Sequence, residues 1–151
     1  MTNSTAVNSG GPESQVTLHG IVGKAAGKFP VVASAQLRSR SRGGLPPRAL
    51  RRVHEYVEAH LEKNISLQML ASTAGLSMSH FARAFKQSQG VPPHEYLVRC
   101  RVRRAQELLA TTDLPLSEIA RASGFSDQSH CTRRFREQVG ITPSSYRWSM
   151  R

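Results

Sequence analysis

The sequence predicts an all-α fold of seven helices, and three observations carry that prediction. From Pro47 onward, apolar residues recur at helical spacing. Glycines at 75, 90, 124 and 140 interrupt the pattern where helices would stop. The second half of this region copies the first at an offset of 49 to 50 residues.

The elements follow in order. PRALRRVHEYVEAHL puts Leu50, Val53, Val57 and Leu61 on one helical face, and Pro47 suits a first turn. SLQMLASTAG reads as a short helix with Ser66 as N-cap and Gly75 as its stop. SMSHFARAFKQSQG follows at once and ends at Gly90. PHEYLVRCRVRRAQELLATT is long, and Leu97, Cys100 or Arg101, Arg104 or Ala105, and Leu108 track one side of it. SEIARASG, DQSHCTRRFREQVG and PSSYRWSM then repeat the short pattern.

The repeat is specific. At an offset of 49, Leu67, Ala71, Gly75 and Ser77 match Leu116, Ala120, Gly124 and Ser126. At an offset of 50, Ser79, His80, Arg83, Phe85, Gly90, Pro93 and Tyr96 match Ser129, His130, Arg133, Phe135, Gly140, Pro143 and Tyr146. One extra residue therefore lies between Gly124 and Ser129. Two short helices joined by a tight turn form a helix-turn-helix. The expected architecture is a tandem, homeodomain-like pair of them: 66–89 first, a bridging helix at 93–111, and 116–139 second. Ala71 and Ala120 are small enough for close helix crossing. In the second helix of each pair, Phe81 and Phe85, or Cys131 and Phe135, face inward. Met78, Ser79, Ala82, Arg83 and Lys86, or Gln128, Ser129, Thr132, Arg133 and Arg136, face outward. These outward faces carry many hydrogen-bonding groups and almost no acids, which is what base reading and phosphate contact require. One such helix would ordinarily be just an amphipathic helix. Two copies joined by a long helix make the stronger argument.

Composition agrees. The chain has 151 residues with a formal net charge of +11. Residues 1–43 carry net +4 and residues 44–151 net +7, so the charge is not confined to a tail. Such an excess favours a polyanionic partner through phosphate contact and counterion release; a solvated basic surface is the plainer reading. The two cysteines, Cys100 and Cys131, form no CxxC and no zinc-type spacing. His130 adjoins Cys131, but adjacent residues on a helix diverge. No metal and no cofactor are expected. No apolar run approaches the roughly 18 residues of a membrane span, and the start lacks the pattern of a secretory signal. The expected location is the cytoplasm, at the nucleoid, with no membrane partner. Residues 1–45 read as a largely unstructured, low-complexity region ending in the basic linker LRSRSRGGLPP. Its short apolar pieces could hold a strand or two but bury little. Residues 46–151 form the helical domain.

SHFARAFKQSQGVPPHEYLVRCRVRRAQELL, followed by LSEIARASGFSDQSHCTRRFREQVGITPSSYR, resembles the C-terminal DNA-binding domain of the AraC/XylS transcription regulators. The resemblance covers about residues 47–148, with IA, GF, DQSH, RxFR, G-ITP and YR in order. It implies seven helices in two helix-turn-helix subdomains that place their second helices in successive major-groove segments. It implies a DNA-binding regulator, most commonly an activator, whose partners are promoter or operator double-stranded DNA and RNA polymerase. Carried over by position, Ser79, Ala82 and Arg83 would meet base edges, with His80 and Lys86 nearer the backbone. Gln128, Ser129, Thr132 and Arg133 would meet base edges in the second half, with Arg134 and Arg136 on phosphate. Arg83 and Arg133 occupy the same repeat position and are the first candidates for guanine reading or phosphate clamping. Arg101 matches a family arginine and is expected to pack against the subdomains. Arg99 and Arg103 are candidates for backbone charge.

Two features depart from the family pattern. Cys131 stands where the second reading helix usually carries phenylalanine. It fills a core position as a small hydrophobe, leaving space that would loosen this half. A redox-sensing thiol is the competing reading, opposed by its inward, protected position. The second departure is the short N-terminal part, about 45 residues where most members have a sensing and dimerisation domain of well over a hundred. A minimal one-domain regulator and a piece of a longer gene product both fit, and no small-molecule effector site is evident. Two other functions compete with this one. A non-specific or degraded nucleic-acid-binding accessory protein would bind scrambled DNA equally. A DNA-modifying enzyme would need a cysteine cluster or a carboxylate metal site, and no catalytic residue presents itself.

Overall fold

The computed structural model describes residues 43–151. The candidate strands and low-complexity segment of residues 1–42 lie outside the described residues. Seven helices run in order: α1 (Pro47–His60), α2 (Leu67–Ala74), α3 (Met78–Gln89), α4 (Pro93–Thr111), α5 (Leu116–Ala122), α6 (Gln128–Val139) and α7 (Pro143–Ser149). The all-α, tandem helix-turn-helix expectation is met among these residues.

Local chemistry sets the helix ends. The Ser66 hydroxyl accepts from the Met69 amide at 3.2 Å, and Ser77 does the same for His80 at 3.3 Å. Asp127 opens α6 by accepting from the His130 amide at 2.7 Å. Each bond satisfies an amide that has no partner inside its own helix. Proline occupies the first helical position of α1, α4 and α7, where a missing N–H costs nothing. Gly75, Gly90 and Gly140 end α2, α3 and α6 in the left-handed conformation. The extra residue of the second repeat is accommodated in its turn: α5 stops at Ala122, and α6 is capped by Asp127 rather than Ser126.

The helices enclose two cores. The first gathers Leu50, Val53 and Val57 of α1, Leu70 and Ala71 of α2, Phe81 and Phe85 of α3, and Leu97 and Cys100 of α4. The second gathers Val98, Val102, Ala105 and Leu109 of α4, Ile119 and Ala120 of α5, Phe125 of the turn, and Cys131 and Phe135 of α6. Full burial of each large aliphatic or aromatic side chain contributes about 1.5–3 kcal/mol. Ala71 and Ala120 have no exposed surface, in keeping with close helix crossing. The repeat extends to ring geometry. Phe85 meets Tyr96 edge-on at 5.3 Å and 72°, and Phe135 meets Tyr146 at 5.4 Å and 74°.

Two expectations change. The long helix does not present one apolar side. Leu97 and Cys100 serve the first core, while Val98, Val102, Ala105 and Leu109 form a second stripe into the other. Arg104 is exposed and bonds Glu107, and Leu108 only flanks the second core. A helix wedged between two cores must be apolar on two faces, so no single stripe describes it. The other change concerns Leu45, assigned from sequence to the linker. It is buried in the first core, and its amide donates to Ser88 Oγ at 2.7 Å. A lone leucine between Gly-Gly and Pro-Pro carries no periodicity that could reveal this.

Candidate nucleic-acid interface

The sequence of α3 buries Phe81, Ala84 and Phe85 on one side. Helical geometry then turns the residues between them outward. Ser79, His80, Arg83 and Lys86 are exposed, and Ala82 is partly so. Met78 is also exposed at the start of the helix. In α6, Cys131 and Phe135 are buried, leaving Gln128, Ser129, Arg133 and Arg136 exposed and Thr132 partly so. Gln128, Ser129, Thr132, Arg133 and Arg136 line one open groove together with Glu137 and the α7 cap Thr142. Thr142 was not among the residues singled out from the sequence; its place beside Pro143 signals only a helix start.

Arg134 sits differently from its neighbours. It is half-buried and bonds Glu137 at 3.0 Å, and it does not line the groove. The pair balances the one acid at the groove's rim. His130 also turns toward the protein. Its ring meets Phe125 edge-on at 5.3 Å, and its Nδ1 lies 3.1 Å from Ser126 Oγ. Partial burial, then the charges of Arg133 and Arg134, push its pKa below the usual histidine value. Beneath it, the Asp127 carboxylate is held below its ordinary range, first by the His130 amide and then by the Ser126 hydroxyl.

The arginines of α4 are taken by protein partners. Arg99 pairs with Glu95 at 3.1 Å and Arg103 with Glu58 at 3.7 Å. Arg101 donates to the carbonyls of Leu61, at 3.4 Å, and Lys63, at 3.0 Å. Burial lowers its pKa. It packs between the subdomains, as its sequence position suggested. Cys131 is 3% exposed, and burial pushes its thiol up to about 11. Cys100 is likewise buried and raised. Neither has the depressed pKa and access of a reactive thiol. Among the described residues, no group of three or more His, Cys, Asp or Glu could hold a metal ion, and no helix is long and apolar enough to cross a membrane.

A family profile for a helix-turn-helix domain matches residues 70–149, from α2 through the end of α7. The chain belongs to the AraC/XylS family. The probable transcriptional regulator LumQ of Photobacterium leiognathi is 39% identical over 99 residues, covering 66% of this chain and 40% of LumQ. The transcriptional activator AarP of Providencia stuartii is 35% identical over 94 residues, covering 62% of this chain and 70% of AarP. The solved DNA-binding domain of AdpA, a global transcriptional factor crystallised with a target DNA, superposes with a TM-score of 0.64. It is 33% identical and covers 67% of this chain and 91% of that domain. This AraC/XylS chain thus spans less than half the length of LumQ.

Proposed function

We propose that this AraC/XylS member is a sequence-specific regulator of transcription that binds double-stranded promoter or operator DNA. One observation supports this most directly. The second helix of each helix-turn-helix buries its aromatic side and exposes a basic, hydrogen-bonding side, and Arg83 and Arg133 stand at the same repeat position on the two. An α-helix fits the major groove of B-DNA, and side chains on its exposed face can reach base edges. Arg83 and Arg133 act as guanine readers. Ser79, Ala82, Gln128, Ser129 and Thr132 adjust the fit to neighbouring bases. His80, Lys86 and Arg136 neutralise phosphates. Arg134, tied to Glu137, contributes less charge to that contact than Arg136. The regulator works in the cytoplasm at the nucleoid, and as an activator it would touch RNA polymerase; AarP's description as an activator supports that direction.

A genome-wide map of DNA fragments bound by the full chain tests the proposal. A recurring bipartite motif is expected. Arg83→Ala or Arg133→Ala should each weaken binding to it by about 1–3 kcal/mol and relax preference at one position. Equal affinity for scrambled duplexes, with a steep dependence on salt, would instead identify a non-specific accessory binder.

A further inference from the structure

Away from the two stripes of α4, three segments converge at one point. The first is the turn after α1, whose Leu61 and Lys63 carbonyls accept from the Arg101 guanidinium. The second is Arg101 itself, near the middle of α4. The third is Gly124, in the turn of the second helix-turn-helix. A Cβ on Gly124 would lie 2.0 Å from the Leu61 carbonyl oxygen and 2.8 Å from Arg101 Nε. The second turn is therefore pressed onto the first subdomain with no room for a side chain.

The repeat supplies an internal control. Gly75 holds the matching place in the first helix-turn-helix, and its φ of +72° is close to the +84° of Gly124. A Cβ on Gly75 would meet nothing within 4 Å. Both glycines satisfy the same turn, but only Gly124 is also needed for close approach. The chemistry of the contact is suited to holding an angle. A planar guanidinium offers donors in a rigid fork, and the carbonyl end of a helix carries partial negative charge that favours a cation.

We infer that Arg101, the Leu61–Lys63 turn and Gly124 form a joint that sets the rotation of the second helix-turn-helix against the first, and so the base-pair spacing between the two DNA segments read. The inference rests on the DNA-reading function proposed above. A bridging helix alone lets each subdomain rock about one axis; a contact off that axis removes the freedom. Adding one base pair between two sites turns one against the other by a tenth of a helical turn, at about 10–10.5 base pairs per turn. Rigid subdomains would not follow that rotation. Arg101 is here a positioning residue.

The test uses the full chain and its Arg101→Gln, Arg101→Lys and Gly124→Ala variants, each checked for helicity and melting temperature. Spin labels on Ser72→Cys and Ser144→Cys first report the distance between subdomains without DNA. Wild type should give one narrow distribution, Arg101→Gln and Gly124→Ala a broad or displaced one, and Arg101→Lys, with the charge but not the fork, a width between them. Selection from a random duplex library then supplies a bipartite probe, which is rebuilt with one base pair inserted or removed between its halves. Wild type should lose at least about tenfold in affinity on the altered spacings, comparable to a mismatched base pair. Arg101→Gln and Gly124→Ala should lose less than about threefold, and Arg101→Lys, which keeps the charge but not the fork, should fall between them and wild type. Unchanged distances and an unchanged spacing profile in folded Arg101→Gln and Gly124→Ala overturn the joint while leaving DNA reading intact. Failure of both variants to fold also overturns it, because the contact would then serve the whole fold rather than alignment. A library that yields no enriched duplex for wild type defeats the DNA-reading function itself, whatever the labels report.

Discussion

The imidazole of His54 lies against the ring of Tyr96, with centroids 5.2 Å apart and planes 19° from parallel. The histidine is buried between α1 and α4, and its Nε2 has no hydrogen-bond partner among the described residues. Burial lowers its pKa, Glu58 opposes that shift, and Arg103 adds to it. The folded state therefore favours neutral His54. Stability should be level above the unfolded histidine value of about 6.5 and decline as pH falls below it, flattening beneath the lowered folded pKa. Urea unfolding between pH 8 and 5 would measure the slope. His130 is also shifted down and titrates in the same window. The difference between wild type and His54→Leu isolates the buried group, and that difference should change across this range.

Asp127 holds the start of α6, the helix that carries Arg133. Asp127→Ala should lower the melting temperature and fray the first turn, while Asp127→Asn keeps an acceptor and much of the cap. The carboxylate's pKa is depressed by the His130 amide first and the Ser126 hydroxyl second. Its contribution is thus present above the unfolded value of about 3.9 and is lost as pH falls through the lower folded value. The Asn variant should lack that acid-side loss, which thermal melts at pH 5 and pH 3 would show.

Cys131 and Cys100 should both be silent to an aromatic disulfide reagent at pH 8 in the folded protein. With its pKa near 11, Cys131 is almost wholly thiol at that pH, and both sulfurs are buried. Two equivalents should react after denaturation. Rapid labelling of either thiol in the native protein would restore the redox-sensor reading. The second core also takes the buried ring of Phe125 where the first repeat has the half-buried Leu76.

Leu109 and Leu108 separate two accounts of α4. Leu109 is 1% exposed within the second core, whereas Leu108 flanks it. Leu109→Ala should cost about 2–5 kcal/mol, the usual range for a fully buried leucine. Leu108→Ala should cost clearly less. Denaturant midpoints at unchanged m-value would compare them, and equal costs would contradict the two-stripe helix.

Much of this molecule was legible in its sequence because its signals are local or duplicated. Ser66 and Gly75 announce helix ends by chemistry that acts within a few residues. Phe85 and Phe135, with Tyr96 and Tyr146, are found by comparing two copies. The exposed face through Arg83, and its counterpart through Arg133, follows once the buried phenylalanines are placed. What escaped depends on distant partners. Val98 and Val102 look like a lapse in one stripe until a second core is present to receive them. Leu45 gains its meaning from Ser88, far along the chain. Arg134 reads as one more cation in an RR pair, and only the side-chain geometry ties it to Glu137. Nothing near Gly124 announces the Leu61 carbonyl, because turn glycines are common and Gly75 has the same conformation without the neighbour.

The double stripe on α4 has a consequence for how the domain comes apart. Each core borrows one wall from the same helix, so neither half is a complete building without it. Loss of α4 from one side strips apolar cover from the other, and the two lobes should melt together rather than in succession. The described helices, two cores on one shared helix, should therefore unfold as a single cooperative unit. Damage at Val102 will be felt by the lobe to which Val102 does not belong.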